Sequence, residues 1–110
     1  EWMSMYLNGE IWKVKLYPIR GNEQDGIRPC LIVSPDSMNT SLLTLIVLPM
    51  TMQIRNWPSR IEIILDNKQG QACIEHIRSV SKERFVEKLG KASDIEMAIV
   101  QKHLQATFSA

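Results

Sequence analysis

Between Glu10 and Val80 the chain is a succession of short apolar or alternating runs, each closed by a proline or a polar turn, and this punctuation constrains its fold more than anything else. From residue 10 to 17, Trp12, Val14 and Leu16 alternate with Lys13 and Lys15, the period of two of a half-buried strand, which Pro18 ends. Pro29 opens a second, mostly apolar strand over residues 30–34, closed by Pro35-Asp36-Ser37. Residues 42–48 read as a third strand buried on both sides, with Pro49 at its exit. After a loop containing Asn56-Trp57-Pro58, Ile61, Ile63 and Leu65 alternate with Arg60 and Glu62, and Asp66 to Gly70 supplies the next turn. Residues 72–80 form the fifth strand, interrupted by the polar pair Glu75-His76.

Beyond Ser81 the pattern turns helical. Val80 and Phe85 are placed as a hydrophobic staple around a Ser81 N-cap, with Gly90 ending a short helix. Ser93-Asp94-Ile95-Glu96 then fits a capping box, and Met97, Val100, Leu104 and Phe108 recur at helical spacing, a stripe that packs on a sheet. Strands followed by helices, with no β-α alternation, predict a mainly β, α+β fold: a small antiparallel β-barrel or strongly bent sheet with a C-terminal helix. At 110 residues there is room for one domain over 1–110, with 1–8 read as an arm outside the fold.

Charge narrows the function. Thirteen Lys and Arg against twelve Asp and Glu leave a formal charge of +1, so a nucleic-acid site must be a local patch. Cys30 and Cys73 lie in apolar surroundings and read as buried thiols. His76 and His103 lack the spacing of a zinc site, so no metal and no cofactor is expected. No run approaches the length of a membrane span and no signal peptide is visible, so a cytoplasmic setting is the expectation.

Polar residues gather at strand ends: Glu23 and Gln24 in the loop between Gly21 and Gly26, Arg28 as the second strand begins, Thr51 and Gln53 after the third, and Glu75, His76 and Arg78 in the fifth. An acid, a guanidinium and a hydroxyl converging on one cleft would suit phosphodiester chemistry.

The runs Gly9-Glu10-Ile11-Trp12, Pro18-Ile19-Arg20-Gly21-Asn22-Glu23-Gln24-Asp25-Gly26-Ile27-Arg28-Pro29 and Val33-Ser34-Pro35 resemble the N-terminal motif of the MazF/PemK toxins. Leu48-Pro49-Met50-Thr51-Met52-Gln53 resembles that family's Pro-x-Thr-x-Gln segment, and Ile74-Glu75-His76-Ile77-Arg78-Ser79 its acidic-Gln-x-Arg-Thr segment. The resemblance implies an SH3-like barrel of the CcdB/PemK type, a homodimer, a cognate antitoxin, and metal-independent, sequence-preferring cleavage of single-stranded RNA through the ribose 2′-hydroxyl. It implies Arg28 as the group that stabilises the phosphorane, Thr51 as a donor to the scissile phosphate, and Glu23 or Glu75 as proton acceptor. The amides of Asn22, Gln24 and Gln53, with Arg20, Arg78 and His76, are the RNA-binding candidates, and Trp57 or Tyr17 offers a stacking face. Each has a plain structural alternative: Thr51 bonding its own turn, Glu75 pairing with Arg78, the aromatics filling core.

Two departures bear on mechanism. Asn22 stands where some relatives of that family carry histidine, and His76 replaces the more usual glutamine. A non-enzymatic toxin on the same barrel, directed at DNA gyrase as in the CcdB branch, is the alternative. The Arg28-Pro29 and Pro-x-Thr-x-Gln pairing argues against it, as does a tail, Gln105 to Ala110, without that branch's Trp-Ile-Arg ending. A catalytically silent binding module is the third reading.

Overall fold

The computed structural model describes residues 6–16 and 26–109. Its strands are β1 (Glu10–Lys15), β2 (Ile27–Ile32), β3 (Thr44–Thr51), β4 (Arg60–Leu65), β5 (Lys68–Cys73), β6 (Arg78–Ser81) and β7 (Phe85–Lys91), with helices α1 (Asp36–Ser41) and α2 (Asp94–Phe108). They form one antiparallel sheet in the order β4-β5-β3-β2-β1-β7, with β6 also paired to β3. The expected bent antiparallel sheet with a C-terminal helix is therefore present.

β3 is the spine. On one side it pairs with β2, and on the other with β6 and then β5, which run along its length on either side of a 3-10 turn at Ile74–His76. The expected fifth strand is thus two strands hinged at its polar interruption. Strand β3 does not stop at Pro49 but continues to Thr51, and β2 contains Pro29 rather than starting after it. Pro49 is tolerated because Leu48 and Pro49 fall between the residues that β6 and β5 pair, where no ladder donor is required on that side. At the β4–β5 hairpin, Leu65 pairs with Lys68, so Asp66 and Asn67 alone make the turn. Both have positive φ, 51° and 62°, as a two-residue hairpin of this twist demands.

Period-two alternation divides the interior. Ile11, Leu31, Leu48, Ile61 and Ile63 join a cluster that takes in Val100 of α2, with Met97 and Leu104 packed against it. Val14, Cys30, Ile32, Val47, Val80 and Phe85 form a second cluster, flanked by Tyr6 and Trp12. Three of the four residues of the expected helical stripe therefore pack inward, whereas Phe108 is exposed.

The short helix expected from Ser81 to Gly90 is absent. A 3-10 turn at Lys82–Arg84 leads instead into β7, which pairs with β1. Long-range pairing wins over the local pattern: Phe85 sits opposite Val14 and stacks edge-on with Tyr6 and Trp12, and Lys13 and Glu10 meet Glu87 and Lys88, each at 3.0 Å. A β-carbon at Gly90 would lie 2.8 Å from Leu65 Cδ1, so β7 passes close to β4 there and a larger residue would make the end of the Leu65 side chain shift. The capping box at Ser93 is present, and Glu96 does more than cap. Its Oε1 accepts from Ser93 N–H at 2.8 Å while Oε2 accepts from Ile64 N–H, on the open edge of β4, at 2.9 Å. Short α1, read in the sequence only as a turn, is anchored by buried Asn39, whose amide donates to the Ser34 carbonyl.

Candidate active site

The β2–β3 ladder sets Cys30 opposite Pro49 and Leu31 opposite Leu48. Continued two residues beyond the ladder, the same register sets Arg28 level with Thr51, 23 positions further along the chain. Both line a pocket of about 250 Å³ whose other walls are Pro29, Met50, Met52 and Leu65, with Asp66, Lys68 and Gly70 from the β4–β5 hairpin. A residue bearing a guanidinium and one bearing a hydroxyl therefore border one pocket from adjacent strands, where position is held more tightly than on a loop. The plain alternative for Thr51 also holds: its Oγ1 accepts from Gln53 N–H at 3.1 Å. That bond uses an acceptor lone pair and leaves the hydroxyl proton to donate, so the turn orients the group.

Glu75 lies in the 3-10 turn and is engaged away from this pocket. Its Oε2 accepts from Arg60 Nε at 2.6 Å and its Oε1 from the Ser59 hydroxyl at 2.7 Å. Partial burial raises the carboxyl pKa, but the Ser59 and Arg60 hydrogen bonds more than offset it, and the net position is below the ordinary carboxylate value. The partner is Arg60, not Arg78. His76 Nε2 stands 3.9 Å from the same carboxylate.

Arg60 is the residue that the sequence does not single out. Its side chain is only 8% exposed, and Nη1 donates to the Gln53 carbonyl at 3.3 Å and to Gln71 Oε1 at 3.2 Å. Buried Gln71 also clamps the Arg55 backbone, accepting from its N–H and donating to its carbonyl, each at 3.0 Å. The one sequence signal is a polar pair, Arg60 and Gln71, in strands that otherwise bury apolar side chains.

Arg78 opens β6 opposite Val47. It and Arg28 both act on the Cys30 thiol, which burial pushes up to about 12 against the pull of the two guanidinium charges. Both arginines thus flank Cys30, and two positive charges lie near the second cluster's open end. Cys30 and Cys73 are buried and not joined by a disulfide. Among the described residues no group of three or more His, Cys, Asp or Glu gathers as a metal cluster, and no helix is long and apolar enough to cross a membrane. Tyr17, Arg20, Asn22, Glu23 and Gln24, expected at the site, lie outside the described residues; on either side of that segment Leu16 N–H donates to the Gly26 carbonyl at 2.7 Å.

The family profile of the PemK-like, MazF-like toxins of type II toxin-antitoxin systems matches residues 7–108. The chain belongs to this family. Among MazF relatives, an Endoribonuclease MazF from Staphylococcus saprophyticus is 34% identical over 99 residues, covering 84% of this chain and 82% of that protein. A crystal structure of MazF from Deinococcus radiodurans superposes with a TM-score of 0.82 at 24% identity, over 96% of this chain and 97% of the other. A mycobacterial endoribonuclease in complex with its cognate antitoxin superposes at 0.77 and 19% identity, over 97% and 96%. In this MazF-like chain, Thr51 at the end of β3 lines the pocket with Arg28, and Gln53 just after it accepts from Arg60, so the end of β3 links the pocket to the Arg60 network.

Proposed function

We propose that this MazF-like toxin is an endoribonuclease that cuts single-stranded RNA, messenger RNA in the cytoplasm, at preferred sequences. The observation that carries the reading is that Arg28 and Thr51, on the neighbouring strands β2 and β3, line one and the same pocket. The ribose 2′-oxygen attacks the adjacent phosphorus, the bond to the 5′-oxygen breaks, and a 2′,3′-cyclic phosphate and a 5′-hydroxyl remain. Negative charge grows on the non-bridging oxygens, where the Arg28 guanidinium and the Thr51 hydroxyl stabilise it. The substrate supplies its own nucleophile, so the step needs no metal-activated water. Glu75, committed to Arg60 and Ser59, acts by holding Arg60, and Glu23 is the proton acceptor that the family resemblance offers. Gln53, exposed after Thr51, and Arg78 contact the strand, with Arg20, Asn22, Gln24 and His76 completing the RNA-binding set.

A protein antitoxin with an acidic, unstructured tail covers the same pocket, where Arg28 and Lys68 offer positive charge, and competes with RNA. The chain pairs with a second copy through the outer face of α2, where Ile95 and Ile99 are 75% and 44% exposed beside a shallow hollow formed with Lys102, His103 and Ala106. The paired guanidinium and hydroxyl favour phosphodiester chemistry over the gyrase-directed or silent-module readings.

The deciding experiment is digestion of a mixed-sequence single-stranded RNA in EDTA by the wild-type protein and by Arg28→Ala, with chemical analysis of the new ends. Cleavage in EDTA that yields cyclic phosphate and vanishes in the variant is the expected result. Equal cleavage by a folded variant removes Arg28 from the mechanism.

A further inference from the structure

Trp57 is a large aromatic ring left half open, 48% exposed, in a loop between strands rather than in the core or, like exposed Phe108, at the end of the last helix. Nothing about covering the interior explains its place. Its ring is nevertheless held: the Arg60 guanidinium carbon lies 4.5 Å from the ring centroid and that of Arg55 lies 5.9 Å away. The brace is itself fixed, since Arg60 is nearly buried and spends its donors on Glu75, the Gln53 carbonyl and Gln71. The backbone under Trp57 is fixed as well. Pro58 restricts the residue before it to extended conformations, and Arg60 N–H closes the turn on the Trp57 carbonyl at 3.1 Å.

We infer that Trp57, backed by Arg60, is a preformed stacking platform for an unpaired base of the RNA strand, set at a fixed place relative to the cleavage centre. The inference rests on the endoribonuclease reading and deepens it. Coupling to the centre runs through two residues. Gln53 gives its N–H to the Thr51 hydroxyl and its carbonyl to Arg60. Gln71 pairs with Thr51 in the β3–β5 ladder while its side chain grips Arg55 and Arg60. Thr51 and Trp57 are therefore two ends of one rigid turn. A base needs a flat, desolvated face and a strand needs positive charge beside it; a tryptophan with two guanidinium groups supplies both without sequence discrimination, because every base has a π-face. A ring already ordered loses little freedom when a base stacks on it, which is the gain from preorganisation. In this arrangement Arg60 is a positioning residue: it touches the ring, not the RNA, and Glu75 positions Arg60 in turn. The platform also selects for single strands, since a base inside a duplex cannot offer its face.

The test uses a fluorescently labelled single-stranded RNA 12-mer of random sequence and the Arg28→Ala protein, so that binding is read without turnover. Trp57→Ala in that background weakens RNA binding about ten-fold, the scale of one stacked base. Trp57→Phe, which keeps a ring, recovers most of it, and thermal melting confirms that both proteins are folded. The RNA quenches tryptophan emission in the parent, and the quench is lost in Trp57→Phe. Arg60→Met leaves Trp57 in place but unbraced: it gives an intermediate affinity, and acrylamide reaches the indole more readily in the free protein. Unchanged affinity in a folded Trp57→Ala, or a quench that survives in Trp57→Phe, overturns the platform while leaving the nuclease reading intact. Failure of the unsubstituted wild-type protein to cleave or bind RNA overturns both.

Discussion

Single side chains separate the roles at the strand ends. Arg28 offers a planar fork to a phosphate, so Arg28→Lys, which keeps the charge but loses the fork, still lowers the cleavage rate by about 10-fold or more. Thr51 contributes one donor, and Thr51→Val reduces the rate about 10²-fold, whereas Thr51→Ser keeps the hydroxyl and most of the rate; single-turnover cleavage of a defined RNA reads both. Glu75 gives a pH prediction with a fixed sign. Its folded-state pKa is lowered, so the stability it contributes is present above the ordinary carboxylate value and lost as pH falls through the lowered one. Melting temperatures of wild type and Glu75→Gln therefore differ most at neutral pH and converge as the solution is acidified below that range. A gap that widens on acidification contradicts the assignment. The linear motifs point to Arg28 and Thr51, which the structure brings to one pocket, because both stand in short runs that contain a proline. They did not reveal Arg60, whose partners Gln53, Gln71 and Glu75 lie 7, 11 and 15 positions away and are brought together only by the β4–β5 hairpin.

Among the elements, those whose determinants are local were readable and those fixed by distant pairing were not. The alternation of β4 and the capping box of α2 are complete within their own segments. β7 is different: Phe85 to Lys91 contains no decisive local signal, and its strand form follows from Val14, Lys13 and Glu10 on β1, about 70 residues earlier. Prolines misled in a related way, since Pro29 and Pro49 end strands only where a ladder bond is required of them. The two grips of Glu96 make a quantitative distinction possible. Ser93→Ala removes one cap bond and costs about 1 kcal/mol. Glu96→Ala removes the reciprocal cap and the acceptor for Ile64 N–H, and costs about 2 kcal/mol, read by urea denaturation. Equal losses would mean that the Ile64 bond adds nothing.

For the molecule as a whole, near-neutral charge and two apolar exposures set the behaviour. The outer face of α2 has Ile99 beside Lys102 and Ala106, and a charge placed there opposes a second copy without touching the inner stripe of Met97, Val100 and Leu104. Ile99→Glu is expected to shift the protein from dimer to monomer in sedimentation equilibrium while its circular dichroism stays the same. An unchanged dimer would place the interface elsewhere. The order of the sheet carries one further consequence. β1, made first, has β7 as its outer partner, made last of the strands, and the core face stays bare until α2 follows. During synthesis the strands bearing Arg28 and Thr51 therefore lack a finished scaffold until β7 and α2 have been made. The pocket that Arg28 and Thr51 line thus belongs to a sheet whose outer strand and covering helix are the last elements to emerge.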